Sequence, residues 1–469
     1  MLKTYFIAAL LIAVCSVALA DETRTLTLEE AVDLALEQNR TVKVAQAEVR
    51  SSEYQVRDAK TNFLPHLALN GSYTRLDERP YIDASDFGKM FEPLMAPFND
   101  LVQKGYLDPG TLSGLAGGGM DKIYMGRLDN YDLNLSVQQP VFTGFALRNS
   151  YRIAQNARDA AKWSAKATED QVRFDVTSAF LGLVKAREFY AITEEAIKQM
   201  EAHITDLENL LEEGMVIEND LLRARVQLSN IKLLNTKASN GIKLANAYLC
   251  NLLALDLETT IVPEEVPDAI MNSTESLDVY SRAAQVSRPE LRAMKANLQI
   301  GEHLVSIHRS EYLPKLFLIG NYDWKSPNRE IEPEFYGSWN ITLALQMNLF
   351  DWGSTHLKVQ KARIDYDKMV EASKMLADGI SLEVKQSYLQ LNEACEKLRI
   401  ADENITQAEE NFRVTRENFH AGLATNADLL DAQTSLTRAK LDRATVHADL
   451  LLAQAKLIKS IGGNNEDKR

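Results

Sequence analysis

One stretch of this chain occurs twice. Glu212–Ala224, EEGMVIENDLLRA, aligns without a gap on His420–Ala432, HAGLATNADLLDA, placing Gly214 on Gly422, Asp220 on Asp428, Leu221 on Leu429 and Ala224 on Ala432. The shift is 208 residues, and it also carries Phe142 onto Phe350, far upstream. Two long segments therefore repeat each other. No low-complexity linker divides the 469 residues, so a single duplicated unit fits better than two or three unrelated domains.

Each copy of the stretch reads as a turn between two helices. A glycine ends a long helical pattern, as a left-handed stop does. An Asn then offers itself as N-cap, at Asn219 or Asn426, with acid in the first turn that follows. The flanks are long, because no proline occurs between Val141 and Val262 or from Glu334 to Arg469. Such tracts require a helical explanation. Residues 145–211 and 354–419 predict helices of about 65 residues, roughly 100 Å at 1.5 Å per residue. Each folds back through its glycine, giving helical hairpins over 145–254 and 354–461. Apolar residues spread over more than one helical face, which suits helices packed among several neighbours.

A shorter helical pattern precedes each half. Thr27-Leu-Glu-Glu30 has capping-box spacing and opens an amphipathic helix of about 35 residues; residues 276–312 resemble it. Both stop at a proline, in Phe63-Leu64-Pro65 and Tyr312-Leu313-Pro314, at a shift of 249. After each proline the period becomes two. Leu67, Leu69, Gly71 and Tyr73 alternate with Ala68, Asn70, Ser72 and Thr74, and Leu316, Leu318, Gly320 and Tyr322 repeat that pattern. Partner strands follow, with Tyr131, Leu133, Leu135 and Val137 on one face, and later Trp339, Ile341, Leu343 and Leu345. The chain thus has two β-hairpins, 66–142 and 315–350. The second closes through a short connection, Ser326–Glu334. The first closes through Pro80–Asp129, a length that marks a functional or a disordered loop.

Met1–Ala20 carries Lys3, an apolar run Tyr5–Ile12 and the small-residue site Ala18-Leu19-Ala20, which together describe a secretory signal peptide. Val14 before Cys15 disfavours lipid attachment there. The remaining chain divides into a first structural repeat, 21–262, and a second, 263–469. Outside the cytosol, Cys250 and Cys395 are too few for a disulfide framework and read as buried thiols on helices. A formal charge of −14 argues against nucleic acid as a partner. No later segment approaches the apolar length of a membrane helix, so a membrane would have to be crossed by strands.

Four strands cannot close a barrel, since the smallest transmembrane barrels have about eight. Open strand edges are not tolerated in lipid, so several chains must share one barrel. Tyr73, Tyr131, Tyr322, Trp324, Tyr336 and Trp339 are then girdle candidates; the plain alternative is aromatics packing a soluble sheet. Catalysis finds little support. The histidines are scattered, His303 and His308 lie five apart, and no HExxH, CxxC, GxSxG or GxGxxG stands in a suitable context, so no enzyme, cofactor or metal is expected. A soluble coiled-coil scaffold or adaptor would suit the long helices but has no use for two amphipathic hairpins.

The order of elements resembles the TolC-like outer membrane efflux protein family, the outer membrane factors of efflux and type I secretion systems. The marks are the two helix-Leu-Pro-strand junctions, the strand-to-helix turns Gln139-Pro-Val-Phe-Thr-Gly144 and Asn348-Leu-Phe-Asp-Trp-Gly353, and the two Gly-x5-Asp-Leu tips. The resemblance implies a membrane β-barrel plus long α-helical hairpins: a homotrimeric 12-stranded barrel, four strands per chain, continued by a periplasmic α-helical tunnel. It implies an outer-membrane exit duct serving a periplasmic adaptor (membrane fusion) protein and an inner-membrane transporter, in a tripartite efflux pump or a type I protein secretion system.

The tips carry the candidate sites. Gly214, Met215, Gly422 and Leu423 are expected to dock the adaptor, because glycine lets two backbones approach and an apolar neighbour at an exposed turn is otherwise unfavourable. Asp428 and Asp431, at i and i+3, share one face at a helix start. Asp431 matches the second entrance aspartate of the family's pattern, so these two, with Asp220 and Arg223, are the candidate periplasmic gate. The helix dipole alone favours an acid in a first turn, which is the plainer account of Asp220. Phe419 and Ala424 stand where family members can carry a tyrosine and an arginine that latch the closed entrance. Arg223, the first-repeat counterpart of Asp431, is the available substitute. The Pro80–Asp129 connection is expected to face the cell exterior and cover the barrel mouth, unless it is merely disordered.

Overall fold

The structure, a computed structural model, describes residues 23–83, 93, 96–108, 122–264 and 275–463. The expected signal peptide and part of the Pro80–Asp129 connection lie outside the described residues. From Thr23 to Leu253 the elements are β1 (Thr23–Leu26), α1 (Leu28–Gln38), α2 (Arg40–Thr61), β2 (His66–Arg75), β3 (Tyr81–Asp83), β4 (Lys122–Tyr124), β5 (Asp129–Phe142), α3 (Ala146–Glu212) and α4 (Glu218–Leu253). From Thr260 follow β6 (Thr260–Pro263), α5 (Leu277–Ser287), α6 (Pro289–Ser310), β7 (Lys315–Ser326), β8 (Tyr336–Gln346), α7 (Ser354–His420) and α8 (Asn426–Ser460).

The long helices fall where proline is missing. α3 and α7 are each 67 residues, and both start and end at the 208-residue shift read from the tips. The shorter helices differ from expectation. Thr27 does form a capping box with Glu30, but the single helix expected after it breaks at Asn39. There Oδ1 accepts from Thr41 N–H at 2.8 Å, and Nδ2 donates to Leu252 O at 2.8 Å near the end of α4. The second half breaks at the matching residue. Arg288, between α5 and α6, donates to Ser460 O at 3.1 Å near the end of α8 and pairs with Glu290 and Glu383. Each break turns one polar side chain onto orphan carbonyls of a helix end. Amphipathic periodicity survives the loss of one helical residue, which is why it concealed the breaks; Pro289, in a first helical position, was the readable signal.

Two compact units result, and each draws on both halves of the chain. One contains residues 153–302 and 364–469 with the chain up to Gln55. Its main core joins Val176, Phe180 and Leu183 of α3 to Leu249 and Leu253 of α4, Ala31 and Ala35 of α1, and Ile261 of β6. β6 pairs in parallel with β1, Thr23 opposite Thr260. Side chains as large as Phe180 and Leu183, fully buried, each stabilise by about 1.5–3 kcal/mol. Cys250 is buried on α4 and donates to Thr259 O, whereas Cys395 on α7 is half-buried. Burial raises both thiols above their ordinary range, leaving them poor nucleophiles.

The other unit, residues 56–152 and 303–363, contains an antiparallel sheet in the order β2-β5-β7-β8. The two expected hairpins are present, and pairing of β5 with β7 joins them into one sheet. Register sorts the side chains by face. Leu69, Leu135, Tyr322 and Trp339 lie opposite one another across the four strands, as do Gly71, Leu133, Trp324 and Gly337. The apolar face is bare, with Leu69 65% and Trp339 73% exposed. On the other face Lys325 meets Asp132 at 3.2 Å and Asn134 donates to Asp323 at 2.9 Å. A soluble sheet buries its apolar face; this one buries neither, which is the pattern of a strand set between lipid and a wet lumen.

Five of the six aromatics expected in a girdle share the apolar face. Tyr336 does not. It pairs with Lys325 in register, so strand alternation puts it on the polar face. Phe335 takes up the role instead, its ring 6.0 Å from Tyr131 and 5.5 Å from Trp324. β3 and β4 form a further small hairpin in the Pro80–Asp129 connection.

Candidate functional site

The two tips close identically. Gly214 and Gly422 each have φ +73°. The residue after each glycine donates N–H five positions back, Met215 to Leu210 O and Leu423 to Asn418 O, both at 2.8 Å. The glycine N–H bonds to Leu211 O or Phe419 O at 3.0 Å, which completes the double closure of a left-handed helix stop. Met215 is 70% and Leu423 80% exposed. Among the described residues a Cβ on either glycine would meet nothing within 4 Å, so no packing among them accounts for the bare turn.

The expected N-caps are corrected. Ile217 and Thr425 hold the cap positions, and Asn219 and Asn426 lie inside the helices. Ile217 makes no side-chain cap, but Thr425 and Asp428 form a capping box. Asp428 Oδ2 accepts from Thr425 Oγ1 at 2.6 Å and Thr425 N–H at 2.9 Å. Those bonds hold its carboxyl below the usual carboxylate range. The Thr-x-x-Asp spacing was readable in the sequence.

Freed from capping, Asn426 goes inward. It is buried, accepts through Oδ1 from His203 Nε2 at 2.8 Å, and donates through Nδ2 to Asp220 O at 3.0 Å. With Nδ2 committed to a carbonyl, Oδ1 faces the imidazole, so His203 carries its proton on Nε2. The His203 ring meets Phe419 edge-on, centroids 5.4 Å apart. Met200, Leu207, Leu221 and Leu429 close the cluster. Burial lowers the His203 pKa, and the Asn426 bond opposes that shift. Sequence reading missed this network: His203 and Asn426 lie 223 positions apart, and an isolated histidine carries no local signal.

The candidate gate residues sit at the same tip. Asp431 and Arg223 are exposed, and Asp220 is half-buried, its carbonyl engaged by Asn426. Among the described residues Arg223 makes no ion pair, with Asp431 or with any other carboxylate. Phe419 and Ala424, at the expected latch positions, are apolar parts of the tip core. No group of three or more acidic, His or Cys residues suited to a metal occurs among the described residues.

A four-stranded sheet with a bare apolar face, and two long helical hairpins ending in exposed glycine turns, define the protomer of an outer-membrane channel. The chain belongs to the outer membrane efflux protein family, whose sequence model matches residues 31–255 and 280–463. It is 23% identical over 342 residues to the alkaline protease secretion protein AprF of Pseudomonas aeruginosa, covering 70% of this chain and 69% of that one. It is 19% identical over 344 residues to the outer membrane protein TolC of Escherichia coli, covering 68% and 69%. Solved structures share the fold. The outer membrane protein VceC of Vibrio cholerae matches with a TM-score of 0.74 at 16% identity over 94% of this chain and 97% of that one. The Campylobacter jejuni CmeC outer membrane channel matches with a TM-score of 0.74 at 17% identity over 94% and 87%.

Proposed function

We propose that three copies of this chain form one exit duct, each giving four strands to a shared twelve-stranded barrel, with the helical hairpins projecting into the periplasm. The carrying observation is the sheet with an apolar face and two edges, β2 and β8, that pair with no other strand among the described residues, since lipid tolerates no open edge. A periplasmic adaptor docks at the Gly214-Met215 and Gly422-Leu423 turns, and an inner-membrane transporter supplies the energy. The connection between β2 and β5 faces the cell exterior, at the end of the strands away from the long helices. The test is the particle mass of detergent-solubilised protein. Three chains per particle are expected; a stable monomer removes the proposal.

A second reading, passage of secreted polypeptide rather than small molecules, is favoured by the likeness to AprF. Deletion separates the two: loss of a secreted protein with unchanged drug susceptibility selects the second.

At the entrance, Asp431 supplies the open carboxylate and Asp428 a carboxylate tied to its own cap. Asp431→Asn is therefore expected to lower cation selectivity and weaken block by multivalent cations in single-channel recording, with no loss of thermal stability. Thr425→Ala is expected to cost about 1 kcal/mol of local helix stability with little change in selectivity. Selectivity that survives Asp431→Asn together with Asp428→Asn places the constriction elsewhere. A parent-like conductance from Arg223→Ala discards the proposed latch.

A further inference from the structure

At the periplasmic end of the sheet, the first turns of α3 and the last turn of α6 enclose a pocket of about 400 Å³. Its floor is a forced contact. Gly144, at φ +62°, lies so close to α6 that a Cβ there would meet Ser310 O at 2.8 Å and Leu313 Cβ at 3.0 Å. Three arginines line the pocket, Arg148 and Arg152 one turn apart on α3 and Arg309 on α6. All three are exposed, and among the described residues none has an ion-pair partner. Among the described residues the lining holds no carboxylate. Glu311, just beyond Arg309, is occupied by Lys358 at 2.8 Å and His308 at 3.3 Å.

The pocket lies on the lipid side. Its rim carries Phe145 and Leu313, 53% and 39% exposed. The Phe145 ring meets Phe142 at 5.4 Å, and Phe142 is in register with Leu316, itself opposite Leu345 on the apolar face. The other side of the same turn, Ala146 and Leu147, adjoins Gln138 and Phe317 instead, on the side of the sheet that carries the polar network. Nor does subunit closure cover the site. β5 and β7 are the two inner strands of the chain's own sheet, so the helix ends between them belong to the middle of each protomer, away from the edges that meet neighbouring copies.

We propose that Arg148, Arg152 and Arg309 bind the phosphate of an anionic phospholipid in the periplasmic leaflet, with an acyl chain lying along Phe145 and the apolar strand face. Guanidinium groups match phosphate oxygens in geometry as well as charge, and cations clustered at a leaflet surface attract anionic headgroups. One lipid per chain would fix the depth at which the sheet gives way to helices. The inference rests on the membrane placement of the sheet.

The test uses the full chain in nanodiscs of equal phosphatidylglycerol and phosphatidylcholine, released into detergent for native mass spectrometry. The parent is expected to retain phosphatidylglycerol in preference to phosphatidylcholine, up to one per chain. Arg148→Gln, Arg152→Gln and Arg309→Gln are each expected to lower that retention roughly fivefold, and the triple variant to abolish it. Arg438→Gln, on α8 and outside the pocket lining, is expected to change nothing. Particle mass is read in the same spectra, so a failure to assemble is distinguished from a failure to bind lipid. A parent that retains both lipids equally overturns the proposal without recourse to any variant, as does a folded triple variant with parent-like retention. Displacement of the lipid by millimolar inorganic phosphate makes the free anion the ligand and overturns the lipid assignment.

Discussion

Gly422→Val is expected to abolish export while leaving outer-membrane assembly intact. The residue sits at φ +73° at the end of a 67-residue helix, where a β-branched side chain costs about 1–2 kcal/mol in strain. That cost is local, because the tip is held by Phe419, Leu429, Leu430 and the cluster around Met200. Loss of export would then follow from docking, and Gly422→Asn isolates this component. Asn adopts the left-handed conformation readily, so the turn keeps its shape, yet its side chain occupies the open space over the backbone. Reduced cross-linking of the adaptor with an unchanged trimer is expected for Gly422→Asn, with the larger loss for Gly422→Val. Gly214 should respond alike, since its turn has the same φ and the same hydrogen bonds. Normal export from both Gly422 variants would reduce the glycines to plain helix stops.

Local and repeated features were legible in the sequence. The 208-residue shift placed both ends of α3 and α7, because missing proline and a glycine stop are signals within a few residues of the boundary they set. The strand faces followed from strict alternation, which also assigned Tyr73 and Trp324 correctly. Tyr336 has the opposite parity to Trp339 and falls on the other face, which aromatic character alone does not reveal. What the sequence concealed are side chains acting across large separations. Asn39 reaches Leu252, Arg288 reaches Ser460, and His203 reaches Asn426, none within reach of a periodicity argument. Asn426 in particular looked like a cap because Asn favours caps; Thr425, one residue earlier with Asp428 at the right spacing, takes that position and frees Asn426 for the core.

Burial of His203 against that Asn makes the tip acid-sensitive. In the folded tip His203 is held neutral by burial, against an ordinary value of 6.5, while in an opened tip it titrates normally. The folded pKa is therefore the lower one. Stability from the neutral imidazole is fully present above the ordinary value and is lost as pH falls through the depressed folded pKa. The groups facing it, Asp206 and His420, act in opposite directions, the aspartate favouring and the second histidine opposing protonation. Faster amide exchange at the α7–α8 turn is expected at pH 5.5 than at pH 7.5. His203→Gln keeps a donor toward Asn426 Oδ1 but does not titrate, and its exchange there should hardly depend on pH. Asn426→Ala should have the larger effect at neutral pH, since it strands the buried His203 N–H at about 1–3 kcal/mol and removes the bond to the Asp220 carbonyl. Exchange in the parent that ignores pH, or acid loosening that persists in His203→Gln, would count against the network as the element holding the two hairpins together at their tips.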